Sequence, residues 1–139
     1  MHIVICGSLS MAEKIKEVAS VLQGFGHSVE IPLGVQIGLS YADTVPESEK
    51  VGAKLENNVI KRYHDKIAEA DAILVVNEEK KGISGYIGGN TFLEMGFAHV
   101  LGKGLYCLNP IPDMSYTSEM LAMNPIVLNG DLKRFAPVK

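Results

Sequence analysis

The sequence has no tryptophan, two cysteines, and no apolar run long enough to span a bilayer. Each shortage excludes something. Cys6 and Cys107 are too few for a disulfide framework and have no metal-ligand spacing. A transmembrane helix needs about 18 consecutive apolar residues, so no membrane partner is expected. The opening residues, Met1-His2-Ile3-Val4-Ile5-Cys6-Gly7, lack the basic start and cleavage site of a signal peptide. The expectation is a cytoplasmic protein. Basic charge is also short: 13 Lys+Arg against 16 Asp+Glu leave a net charge of -3 with no basic stripe, which argues against a groove for long nucleic acid. A small anionic ligand stays compatible, because local backbone donors hold a phosphate without net positive charge. His2, His27, His64 and His99 are scattered without ligand spacing, so no metal site is expected. Gly-x-Gly-x-x-Gly follows no candidate strand, and no Gly-Lys-Ser/Thr closes a P-loop. No cofactor is implied.

What is there describes an ordinary globular chain. It has 139 residues, of which 47% are hydrophobic and 21% charged, enough for one domain over residues 1–139. The unusual count is glycine: 14 residues, half of them between Gly82 and Gly104. Glycine is conformationally costly, so the cluster calls for an explanation.

Along the chain, HIVIC at 2–6 reads as a buried strand ending at Gly7. Ile15, Val18, Ala19 and Leu22 recur at helical spacing. Ser10 and Glu13 have the spacing of a capping box at its start, and Gly24 and Gly26 close it. His27–Pro32 reads as a second strand, and residues 33–48 as a long loop. A helix is expected from about Ser48 to Ala70, with Val51, Leu55, Val59, Tyr63 and Ile67 as its core stripe. Asp71–Asn77 is the clearest strand, apolar on both faces. The glycine-rich segment leads into a helix over about Asn90–Leu101. Gly102-Lys103-Gly104 then turns into a strand at Leu105–Leu108. A short helix around Tyr116–Met123, with Met114, Met120 and Met123 as packing residues, precedes a last strand at Ile126–Leu128.

Strict alternation of strands and helices predicts an α/β domain with a parallel sheet covered on both faces. The fitting architecture is the flavodoxin-like doubly wound five-stranded parallel sheet, order 2-1-3-4-5. That order puts the third strand between Cys6 and Cys107. Two strand spacings are about 10 Å, too far for a disulfide, so free thiols are expected.

In such a sheet a ligand binds beyond the carboxyl ends of the strands where the winding reverses, between strands one and three. Gly7 and Ser8 arrive there from the first strand and Asn77 from the third. Tyr86, Gly88, Gly89, Asn90 and Thr91, in the glycine-rich segment, run over the same edge. These are the candidate substrate-binding residues. Four glycines within eight positions are denser than one turn needs. Glu94 follows, in the expected first turn of the next helix. It has two readings: a capping box with Thr91, or a catalytic carboxylate.

From Gly89 to Lys103 the chain reads GNTFLEMGFAHVLGK. This stretch resembles the nucleoside 2-deoxyribosyltransferase superfamily, which includes the 2'-deoxynucleoside 5'-phosphate N-hydrolases. The shared pattern is Glu-x-Gly-x-Ala followed by a Gly-Lys turn into an apolar strand. The resemblance extends back to the Asp71–Val76 strand and to a first strand ending in Gly-Ser. It implies the same flavodoxin-like order and gives Glu94 the role of nucleophile. Glu94 would attack the anomeric carbon, displace the base and hold the sugar covalently until water or a second base releases it. Gly7 and Ser8 would line the sugar or phosphate side. Asn77 and Gly88 stand where the transferases carry aspartates, so the proton for the leaving base needs another donor. Asp43, Tyr86 and Glu78 are the candidates. The resemblance further implies a nucleoside or nucleotide as the small-molecule partner and a homo-oligomer in which a neighbouring subunit completes the site. The alternative is a non-catalytic nucleotide-binding or sensing module on the same fold.

Overall fold

Strand β1 (His2–Cys6) sends Ile3 and Ile5 to one face and Val4 and Cys6 to the other, and all four are fully buried. A strand apolar on both sides belongs inside a parallel sheet. In the computed structural model, which describes residues 1–36 and 59–137, it does. β2 (Ser28–Glu30) and β3 (Ala72–Val75) flank β1. β4 (Gly104–Cys107) lies beyond β3, and β5 (Ile126–Val127) beyond β4. All pairs are parallel and the order is 2-1-3-4-5, as expected.

Helix α1 (Ala12–Gly24) covers one face, burying Ile15, Val18, Ala19 and Leu22 against Ile3, Ile5 and Leu74. Fully buried Ile15 and Leu22 each contribute about 2 kcal/mol by removing apolar area from water. The opposite face lies under α3 (Val59–Glu69), α4 (Gly89–Val100) and α5 (Thr117–Ala122). Tyr63, Ile67, Met95, Ala98 and Met120 pack there with Val4, Cys6, Ile73, Val75 and Cys107. Between β2 and α3 lies a one-turn helix, α2 (Leu33–Gln36), with Val35 buried. No helix among the described residues is long and apolar enough to cross a membrane.

Three details differ from the sequence reading. The capping box at Ser10 and Glu13 is absent. The chain enters α1 through a 3₁₀ turn, Leu9–Met11, capped by Ser8, and Met11 at the head of α1 makes no side-chain cap bond. Burial of Met11, whose sulfur meets the Glu78 N–H at 3.5 Å, draws this turn under the end of β3. Residues 33–36, expected as loop, form α2. β2, β3 and β5 are shorter than expected, β4 keeps its length but starts one residue earlier, and β1 has the expected bounds. Residues 37–48 of the expected loop and 48–58 of the expected helix lie outside the described residues.

Cys6 and Cys107 are free and buried. Both are in register with Val75, Cys6 on one side and Cys107 on the other. A full strand therefore separates the thiols.

Candidate active site

β1 and β3 end side by side, and the chain leaves them in opposite directions. The β1 exit is Gly7-Ser8. A Cβ at Gly7 would stand 3.1 Å from both the Val76 carbonyl oxygen and Ile15 Cδ1, so the bare backbone lets β1 turn against its neighbour. Ser8 caps the 3₁₀ turn: its hydroxyl accepts from the Ser10 N–H at 3.3 Å and lies 2.9 Å from Ser10 Oγ. The same oxygen accepts from Lys80 Nζ at 3.1 Å.

The β3 exit is Asn77, fully buried. Its Nδ2 donates to the carbonyls of Asn109 at 2.9 Å, Pro110 at 3.2 Å and Gly85 at 3.3 Å. Its Oδ1 accepts the Asn109 N–H at 2.9 Å, and its own carbonyl accepts from Asn109 Nδ2 at 2.8 Å. Asn109 Nδ2 also donates to Glu78 Oε2 at 3.0 Å. Two asparagines thus clasp the ends of β3 and β4 and hold the glycine-rich loop beside them. Asn77, expected to touch substrate, has its whole amide engaged by backbone. Asn109 was not singled out from the sequence; its position at a strand end before Pro110 was the available signal.

The glycine-rich segment is pinned along its length. Lys80-Lys81-Gly82-Ile83 is a tight hairpin closed by two backbone bonds, with Lys81 and Gly82 both at positive φ, as a type I′ turn requires. Gly85 sits at φ +70, and a Cβ there would lie 2.5 Å from the Pro110 carbonyl oxygen. The Tyr86 N–H bonds the Glu78 carbonyl at 2.9 Å. The Tyr116 hydroxyl donates to the Ile87 carbonyl at 2.5 Å, and its ring stacks on Phe92 at 4.6 Å. The Tyr86 ring lies under the Lys80 ammonium, 5.4 Å from the ring centroid, and 3.4 Å from where a Gly88 Cβ would be. Ser8, Lys80, Tyr86 and Gly88 therefore form one run of contacts across the sheet edge. Gly89 and Asn90 are exposed beside it, and Thr91 is buried.

Glu94 is half-buried on α4. The helix is capped by Gly88, which makes no side-chain cap bond, and its first turn holds no acidic residue. Glu94 is thus in the second turn, and the capping box with Thr91 does not form. Glycine at Gly88, packed on the Tyr86 ring, starts the helix three residues earlier than Thr91 would. Glu94 is carried to the end of β1, where the Cys6 thiol donates a hydrogen bond to its carboxylate. Burial first, and then the Glu94 charge, push the Cys6 thiol well above its ordinary value, so it stays a neutral donor. Tyr63 of α3 is pushed up as well, first by burial and then by charges that include Glu94, and its hydroxyl donates to the Ile5 carbonyl. A carboxylate at this place, on a rigid helix and beside protonated groups, can act as a nucleophile or a base.

Of the expected site residues, Ser8, Tyr86 and Gly88 are linked through Lys80 at the β1–β3 edge, and Glu94 reaches Cys6, the residue before Gly7. Asn77 lies beneath them as a clasp. Glu78 is engaged by Asn109, and Asp43 lies outside the described residues. Among the described residues no group of His, Cys, Asp and Glu could hold a metal ion.

The whole architecture is similar to that of a 2-deoxyribosyltransferase from the psychrotolerant bacterium Bacillus psychrosaccharolyticus. The TM-score is 0.61 at 16% identity, covering 98% of this chain and 96% of that one. The chain shares the fold of that enzyme. A second likeness is to the Clostridium botulinum CMP N-glycosidase BcmB, with a TM-score of 0.51 at 16% identity over 91% of this chain and 84% of that one. No protein-family model matches the sequence, and no curated protein matches it.

Proposed function

We propose that the protein cleaves or transfers the N-glycosidic bond of a nucleoside or nucleotide, with Glu94 as the nucleophile. The observation that carries this reading is the placement of the Glu94 carboxylate against Cys6, at the end of β1 and the winding reversal of the sheet. The shared fold with a deoxyribosyltransferase and a CMP N-glycosidase supports it.

The glutamate attacks the anomeric carbon as the bond to the base breaks, passing through an oxocarbenium-like transition state. The base leaves with the bonding electron pair and takes up a proton. Water or a second base then displaces the carboxylate. The Cys6 hydrogen bond orients the carboxylate for in-line attack, a positioning role. Tyr86, set on Gly88 at the head of the Glu94 helix, is the proton donor this reading favours, because Glu78 already holds Asn109. Gly89, Asn90 and Thr91 complete the substrate edge, while Asn77 supports the loop from below.

The test is base release from a panel of nucleosides, deoxynucleosides and their monophosphates. Glu94→Gln removes the nucleophile and keeps the shape, so release falls by at least about 10³-fold while the melting temperature holds. Equal release by the variant, or none by the wild type, overturns the reading. A binding module on the same fold is the second reading. It is favoured by the complete engagement of Asn77, which leaves that position no role in chemistry. Calorimetry showing nucleotide binding without turnover selects it.

The same proposal makes the protein a cytoplasmic homo-oligomer. Leu93, Phe97 and Val100 form an apolar stripe on α4 beside the site, with Leu93 46% and Val100 83% exposed. An open groove of about 370 Å³ runs along it, reaching His64 of α3 and Met123. An uncovered helix face of this kind suits a second copy.

A further inference from the structure

We propose that Tyr63 is a positioning residue for Glu94, acting through the last peptide of β1. The inference rests on the proposed role of Glu94 for its kinetic consequence, and on the backbone of β1 for its geometry. On the β2 side of the first strand, the carbonyls of odd-numbered residues accept. The Met1 carbonyl takes the Ser28 N–H at 3.0 Å, and the pairing of Ile3 with Val29 carries the pattern one step along. The next donor in register, for the Ile5 carbonyl, is the N–H of residue 32. Residue 32 is Pro32, which has none. Ile5 is fully buried, and a buried strand carbonyl without a partner is costly. The Tyr63 hydroxyl, on a residue only 5% exposed, reaches in from α3 and donates to that carbonyl. Tyr63 therefore replaces the ladder bond that Pro32 takes away.

The place of this bond gives it a consequence. The Ile5 carbonyl belongs to the peptide that joins Ile5 to Cys6, and the Cys6 thiol is the group that meets the Glu94 carboxylate. On the other side of the strand the Cys6 carbonyl accepts the Val76 N–H at 2.8 Å, so with Tyr63 in place both edges of the strand end are held. Tyr63, Cys6 and Met95, the neighbour of Glu94 on α4, share one apolar cluster. Helix α3 has two further ties. Lys66 Nζ meets Glu30 Oε1 of β2 at 2.5 Å, and the His64 ring stands edge-on to Phe97 of α4 at 5.0 Å. Both fix the helix without touching the Ile5–Cys6 peptide. Among the described residues, the Tyr63 hydroxyl is the hydrogen-bonded link from α3 to the backbone that carries the thiol.

The experiment combines steady-state base release with the infrared S–H stretch of Cys6. Tyr63→Phe keeps the ring and loses the hydroxyl. Its kcat falls about 10- to 100-fold, the scale of a small misplacement of a reacting group, with KM unchanged. Cys6→Ala lowers kcat to a similar degree. Adding Tyr63→Phe to it lowers kcat by less than about 2-fold more, because residues that act through one link are not additive. Lys66→Met, which loosens α3 from β2 alone, keeps kcat. In the infrared spectrum, the band that Cys6→Ala removes moves to higher frequency in Tyr63→Phe as the bond to Glu94 weakens, and the Cys107 band stays. Unchanged kcat in Tyr63→Phe, additive losses in the double variant, an equal loss in Lys66→Met, or an unmoved Cys6 band overturns the proposal. The two readings fail separately. A wild type that releases no base sinks the Glu94 chemistry while the Cys6 band still decides the positioning. Normal release by Tyr63→Phe beside an inactive Glu94→Gln sinks the positioning alone.

Discussion

Replacing Asn77 with aspartate changes one atom group, and the structure turns that into a large effect. Aspartate is the residue the resemblance leads one to expect there, so Asn77→Asp looks like a repair. The surroundings say otherwise. The Asn77 Nδ2 faces three carbonyl oxygens, of Asn109, Pro110 and Gly85, at 2.9 to 3.3 Å. A carboxylate has no proton to give them and would add a negative charge among them. Carbonyls that lose their donor in a fully buried place cost about 1–3 kcal/mol each, and an unpaired buried charge is worse. The protein's remedy is to protonate the new side chain, which supplies one donor where there were two. The net loss is about 3–5 kcal/mol at neutral pH, a large part of the 5–15 kcal/mol that holds a domain together. With an unfolding entropy of about 2.1 cal/mol/K per residue, the melting temperature falls by about 10–17 °C. The pH sign is definite. The carboxyl is pushed up in the folded state, so the deficit relative to wild type is small near the unfolded value of about 3.9 and grows by up to 1.4 kcal/mol per unit above it. Urea unfolding of both proteins at pH 4.5 and pH 7.5 measures this. An aspartate variant as stable as wild type at pH 7.5, or one with raised base release, refutes the clasp and returns this position to the chemistry.

Gly85→Ala attacks the same clasp from the loop. A methyl 2.5 Å from the Pro110 carbonyl oxygen at φ +70 costs about 2–4 kcal/mol in urea unfolding, and a loss below about 1 kcal/mol contradicts it. Burial pushes the Cys107 thiol to about 12 and Cys6 up as well, so Ellman's reagent at pH 8 finds no reactive thiol in the native protein and both after denaturation. The stability these neutral thiols contribute is present below the ordinary value of 9.0 and is lost as pH rises toward 12; replacing both cysteines with alanine flattens the pH dependence of the urea midpoint in that window. Val100→Glu, at a position 83% exposed, changes monomer stability by less than about 0.5 kcal/mol, yet converts the oligomer to monomer in light scattering; an unaltered oligomer moves the interface away from α4.

The sheet was legible because its cause is local. Ile3–Cys6 and AILV are apolar at every position, and only a strand covered on both faces has use for that. Alternation with helices then left few windings, and the free thiols followed from the order. The clasp was not legible, because Asn77 and Asn109 are 32 residues apart and meet only after β3 and β4 pair. The Tyr63 bond to Ile5 spans 58 residues for the same reason.

Glu94 falls between these cases. Thr91-x-x-Glu94 describes a capping box only if the helix starts at Thr91. The start is set instead by Gly88, a residue that caps without a side chain and so leaves no mark of its own in the pattern. The Tyr86 ring packs on that position, 3.4 Å from where a Cβ would stand, and the ring is placed by a backbone bond to Glu78 and by the Lys80 turn. The glycine cluster thus does more than shape a loop. By starting the helix early, it moves Glu94 past the open N-terminal amides, where it would have been a cap, and on to the end of β1. Gly88→Ala tests this directly: its methyl meets the Tyr86 ring at ordinary contact distance, so the helix keeps its start, Glu94 keeps its place against Cys6, and base release is retained.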